Sequence, residues 1–104
     1  MATILNADLQ DDTLHLRVNA SRLDAVTARD FKEECTAHWQ PNVQRLSINM
    51  AAVDFLDSSG IGALLSVYKR LKSSHPSVRL VEVKPAVQSV LELMRMHRLF
   101  EIQH

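Results

Sequence analysis

Two hydroxyls, a carboxylate and two glycines fall within six consecutive residues, Asp57-Ser58-Ser59-Gly60-Ile61-Gly62. Gly60 and Gly62 are the only glycines in the 104-residue chain, where average composition would supply about seven. An apolar, strand-like run precedes the motif and a helical pattern follows it. Serines and bare backbone at a helix N-terminus can deal with an anion in two ways. The amides can bind it, or a serine can carry it covalently.

Other chemistries fit less well. A Walker loop needs a lysine after its second glycine, and none follows either glycine here. A dinucleotide fingerprint needs a third glycine, and that position is Leu65. A nucleophile elbow has glycine on both sides of its serine. Here Phe55-Leu56-Asp57 precedes Ser58 and Ser59. The histidines His15, His38, His75, His97 and His104 show no i, i+4 pair and no ligand-like spacing, so neither a metal nor a cofactor is expected. Cys35 falls on an apolar helical stripe and reads as a small core residue. The chain is not expected to be an enzyme.

The plain structural reading of the motif is a capped helix. Ser59 would accept from the amides of Ile61 or Gly62, and Asp57 would favour the positive helix end. That reading leaves the glycines unexplained, since each costs up to about 1 kcal/mol against alanine within a helix. Close approach of another molecule to the backbone would justify them.

The elements that must position this motif follow from periodicity. Ile4 and Leu5 start a short strand, and Asp11-Asp12 suits a hairpin turn. Leu14, Leu16 and Val18 alternate with His15 and Arg17, a half-buried strand. Ala28, Phe31 and Cys35 then recur at helical spacing behind Asp24, the expected N-cap. Trp39 reads as a packing anchor, and Pro41-Asn42 ends the segment. Arg45 to Phe55 reads as one strand. Ile61, Leu64, Leu65, Tyr68 and Leu71 make the stripe of the second helix, which ends in Lys69, Arg70 and Lys72. Ser73-Ser74-His75-Pro76 breaks it. Val78 to Val83 is a strand, and Pro85 opens a third helix with Val87, Val90, Leu91 and Met94 buried. Leu99, Phe100 and Ile102 close the chain. The order β-β-α-β-α-β-α, with a final short strand, implies a mostly parallel sheet.

Composition narrows the function. Twelve Lys+Arg balance twelve Asp+Glu, which argues against nucleic-acid binding by bulk electrostatics and against a polybasic membrane anchor. The single cysteine excludes a disulfide framework and fits a reducing cytoplasm. The N-terminus does not resemble a signal peptide, and no apolar run approaches the ~18 residues of a membrane span. One domain over residues 1–104 is expected.

The stretch from Val53 through Asp57-Ser58-Ser59-Gly60-Ile61-Gly62 to Lys69 closely resembles the signature of the STAS domain, as found in single-domain bacterial anti-sigma factor antagonists. The resemblance extends to Leu23-Asp24 and to Leu99-Phe100-Glu101-Ile102. It implies an α/β fold with a mixed, mostly parallel four- to five-strand sheet and helices packed on one side. It also implies partner switching. The unphosphorylated protein would bind an anti-sigma factor that is a serine kinase of the GHKL type. Phosphorylation would release it, and a PP2C-type phosphatase would reset it. Carried onto this chain, the phosphoacceptor is Ser58, with Ser59 as second choice. The partner surface would comprise Asp24, Asp57, Ser58, Ser59, Gly60, Gly62 and Ser66. Two positions depart from the family's usual glycines: Ser21 before Leu23-Asp24, and Lys84-Pro85 after the later strand. The resemblance also admits a non-switching subunit of a lipid-transport complex, or a switch acting on a target other than transcription.

Overall fold

The computed structural model describes residues 3–72, 74 and 76–104. The expected alternation forms β1 (Leu5–Gln10) and β2 (Thr13–Val18), joined through a turn in which Asp11 takes φ 55°. A two-residue strand, β3 (Arg22–Leu23), leads into α1 (Ala25–His38). Next come β4 (Arg45–Asn49), β5 (Phe55–Leu56) and α2 (Ser58–Arg70). The chain ends with β6 (Ser77–Val81), α3 (Pro85–Leu93), a 3-10 turn (Met96–Arg98) and β7 (Glu101–Ile102).

Five strands form one sheet in the order β1-β2-β4-β6-β7. Only β1 runs antiparallel to its neighbour; the other three pairings are parallel. Leu14, Leu16, Val18, Leu46, Ile48, Val78 and Leu80 are buried on one face. They meet Ala28, Phe31 and Cys35 of α1, Ile61, Leu64 and Val67 of α2, and Val87 and Leu91 of α3 in a single core. The molecule measures 34 × 33 × 20 Å. Its short axis is that of one sheet carrying one layer of helices, about 10 Å for each layer. The fold is therefore mixed α/β with a five-strand, mostly parallel sheet and three helices.

Several boundaries differ from the periodicity. The strand expected from Arg45 to Phe55 is two strands. Asn49 ends β4 because its Oδ1 accepts the Ala51 amide at 2.9 Å, and Val53 N donates to Met50 O at 3.0 Å to close a turn. The freed β5 pairs with β3 rather than with the main sheet. On α2, Ala63 and Val67 are buried, whereas Leu65 and Tyr68 are only partly covered. Met94 caps α3 and is 46 % exposed, so it is not part of the core stripe. Helix α1 stops at His38 with Trp39 as its cap, ahead of Pro41-Asn42. Ser73 and His75 of the expected helix-breaking stretch lie outside the described residues.

Candidate functional site

Two short parallel strands place the motif. Leu23 of β3 and Leu56 of β5 are register partners, so the residue after each sits at the same level of the ladder. Those residues are Asp24 and Asp57, and each is the N-cap of the helix that follows. Asp57 N also donates to Leu23 O at 3.4 Å. The N-termini of α1 and α2 therefore stand side by side on one edge of the molecule.

Asp24 caps α1 through a reciprocal arrangement. Its Oδ1 accepts from Val26 N and Thr27 N at 3.1 and 3.3 Å, while Thr27 Oγ1 accepts from Asp24 N at 3.0 Å. Arg22 donates to Asp24 Oδ2 at 3.1 Å. That hydrogen bond, with those from Thr27 and Val26, holds the Asp24 carboxyl below the ordinary carboxylate range. The expected role of Asp24 as N-cap is met.

The cap of α2 is Asp57, not Ser59. Its Oδ1 accepts from Ser59 N at 2.9 Å and Gly60 N at 3.1 Å, and its backbone carbonyl accepts from Ile61 N at 3.0 Å. A carboxylate one residue before the first helical position reaches these amides directly. Ser59 already lies inside the helix and cannot take that place. The anion expectation changes accordingly. Two of the amides that could have met a phosphate are already satisfied by Asp57.

Ser58 is the first residue of α2 and is exposed. Its hydroxyl makes no hydrogen bond among the described residues. Ser59 and Ser66 are half-buried and Gly62 is exposed; their i, i+3, i+7 spacing puts them on one helix face. Ser66 Oγ donates to Ala63 O at 2.6 Å and so is turned back on its own helix.

The two glycines do different things. Gly60 is buried, and a side chain there would run into the Leu23 carbonyl and come within 2.6 Å of Leu56 Cδ1. It lets α2 pack onto β3 and β5 and does not open the surface, contrary to the expectation that both glycines bare the helix start. Gly62 has nothing within 4 Å of where a Cβ would be, which fits that expectation.

Nothing in the sequence pattern pointed to Arg22, Asp54 or Phe55, and Lys84 stood out only as a departure from a usual glycine. The Arg22 guanidinium lies 4.0 Å from the centre of the Phe55 ring, which is 39 % exposed. Lys84 pairs with Asp54 beside them. The departures from the usual glycines are accommodated without glycine. Ser21 does not take a positive φ, and the left-handed residue after β6 is Glu82, at φ 54°, not Lys84.

The STAS domain pattern matches residues 5–104. The chain belongs to the STAS family. Among its STAS relatives, BtrV of Bordetella bronchiseptica, assigned as an anti-sigma factor antagonist, is 24 % identical over 80 residues, 77 % of this chain and 69 % of that one. A Thermotoga maritima protein with the same assignment superposes with TM-score 0.83 at 22 % identity, covering 96 % and 86 % of the two chains. SpoIIAA, an anti-sigma factor antagonist, superposes in its unphosphorylated form with TM-score 0.76 at 21 % identity, covering 94 % and 86 %. Its phosphorylated form from Bacillus superposes at 0.67, with 20 % identity and 94 % and 89 % coverage. These likenesses show the STAS fold. Among the described residues no helix is long and apolar enough to cross a membrane, and no group of three or more potential metal ligands occurs.

Proposed function

We propose that this chain is an anti-sigma factor antagonist that works by partner switching at Ser58. The observation that carries the reading is an exposed serine at the first position of α2, beside the Asp57 cap. A kinase can reach that hydroxyl without unfolding anything. A relative assigned as an anti-sigma factor antagonist and a fold neighbour studied in phosphorylated and unphosphorylated forms support it.

The partner is an anti-sigma factor with serine-kinase activity of the GHKL type, and a PP2C-type phosphatase restores the free serine. The docking face is built from Asp24, Asp57, Ser58, Ser59, Gly62 and Ser66. Gly60 supports it from inside by setting how closely α2 lies on β3. Phosphorylation adds about −1.5 to −2 charges. They would join two capping carboxylates on the same edge, and an acidic or apolar partner surface is then repelled. The domain itself stays folded, because the core lies on the other side of α2.

The test is incubation with the kinase and ATP, followed by mass spectrometry of the peptide containing Ser58 and Ser59. Phosphate on Ser58 supports the reading, and phosphate on Ser59 moves the switch by one residue. Absence of transfer from a kinase that binds the chain rejects switching and favours a constitutive binding subunit.

A further inference from the structure

The helices cover one face of the main sheet and leave the other to solvent. Alternation along β2, β4 and β6 turns Thr13, His15 and Arg17, then Arg45, Ser47 and Asn49, then Ser77, Arg79 and Val81 toward that open face. The register fixes their neighbours. His15 and Arg79 lie directly across from Ser47 on either side. Arg45 is two residues before Ser47 on the same strand, and Arg17 is two residues beyond His15. With strands about 4.8 Å apart, three arginines and a histidine ring one short side chain.

The short side chain leaves room. Two depressions meet over it, and both are lined by His15 and Ser47. One, of about 410 Å³, extends to Arg17, Asn6, Asn49 and Val81, with Asp8 at its outer edge. The other, of about 190 Å³, extends to Arg45, Arg79 and Ser77. All the cations on this face other than His15 are arginines, and none of the chain's four lysines lies on the sheet. Arginine's planar fork matches phosphate oxygens in pairs, which an ammonium cannot do.

Charge selects the size of the ligand. The row through Ser47 begins with Asp8 on β1 and ends with Glu101 on β7. Glu101 lies 3.7 Å from Arg79, while Arg17 and Arg45 make no salt bridge among the described residues. The middle is positive and both rims carry carboxylates. A long polyanion crossing the strands would meet a carboxylate at each side; a single phosphate would not.

We propose that the open sheet face binds a small phosphorylated organic ligand. Its phosphate sits over Ser47 between Arg17, Arg45 and Arg79, and its organic part lies over Asn49 toward Val81, in the row next to Ser47. The site is on the opposite side of the sheet from Ser58 and does not depend on the switching proposed above.

The experiment titrates the unmodified protein with inorganic phosphate and with adenosine 5′-monophosphate, read by amide and arginine side-chain NMR. Saturable shifts at Ser47, Arg17, Arg45 and Arg79 are expected, with the monophosphate ester binding more tightly than free phosphate. Arg17→Gln and Arg45→Gln should each weaken binding about tenfold or more, as loss of a charge-assisted hydrogen bond does. Ser47→Glu should abolish it, and Arg98→Gln, off the sheet, should change nothing. Failure of both probes to shift these residues overturns the proposal. So does a single-stranded oligonucleotide that binds more tightly than the monophosphate with affinity rising with its length.

Discussion

The carbonyl oxygen of Leu23 fills the space that a side chain at Gly60 would need. One residue on the second helix is thereby tied to the strand that leads into the first. The two-strand ladder beneath them brings both helix N-termini, and both capping aspartates, to one edge.

Gly60→Ala is expected to destabilise the domain. The obstacle is backbone, which cannot rotate away, and overpacking costs about 1–3 kcal/mol. The gain in helix propensity recovers at most about 1 kcal/mol of that. Gly62→Ala should instead stabilise by about 0.5–1 kcal/mol, since its Cβ enters open space. Urea unfolding of the pair measures both signs. Equal shifts in the same direction would contradict the packing described for Gly60.

That contrast shows what a sequence can and cannot disclose. The rarity of glycine marked the region, and period 2 and period 3.6 patterns located the main strands, all three helices and the Asp24 cap. Which glycine faces inward depends on β3 and β5, two residues each, too short to have a period. The same ladder hid the Arg22–Phe55 stacking, because nothing along the chain links residues thirty-three apart. Ser59 lost the capping role to Asp57 through a two-residue offset in where α2 begins, the least legible feature of any helix.

Asp57→Ala should cost about 0.5–2 kcal/mol, the usual loss for a helix cap whose carboxylate serves two amides. Asp57→Asn keeps an accepting oxygen and should cost much less. A similar loss in both variants, by thermal unfolding, would mean that Asp57 acts through charge rather than as a cap.

Asp24 should make stability depend on acid. Its carboxyl titrates below the ordinary value in the folded protein, chiefly because Arg22 donates to it. A group with a depressed folded value stabilises above its unfolded pKa and loses that contribution as pH falls through the folded one. Asp24→Asn should flatten the stability profile below about pH 4, near the unfolded carboxylate value, and leave its slope at neutral pH unchanged. An unchanged acid limb would show that other carboxylates carry it.

Cys35 should be inert while the domain is folded. It is 1 % exposed and its thiol is pushed up to about 11 by burial, with Arg70 pulling weakly the other way. Thiolate is the reactive form, and it is scarce near neutral pH. Labelling by a thiol reagent should therefore track opening of the α1–α2 core and accelerate in Gly60→Ala but not in Gly62→Ala. The folded state also favours the protonated thiol, so the associated stability is present below pH 9 and is lost as pH rises toward 11.

Ser58→Asp separates binding from folding. A carboxylate at the first position of α2 gains from the helix dipole, about 0.3–1 kcal/mol. The neighbouring Asp57 carboxylate opposes that gain and already holds the Ser59 and Gly60 amides. Thermal stability should therefore move by no more than about 1 kcal/mol in either direction. Affinity for the proposed anti-sigma kinase should fall tenfold or more, while Ser58→Ala retains it. Gly62→Arg should weaken the same complex with stability intact, because it places bulk on the exposed face one turn from Ser58. Undiminished binding in both Ser58→Asp and Gly62→Arg would move the interface off the start of α2 and leave Ser58 without a switching role.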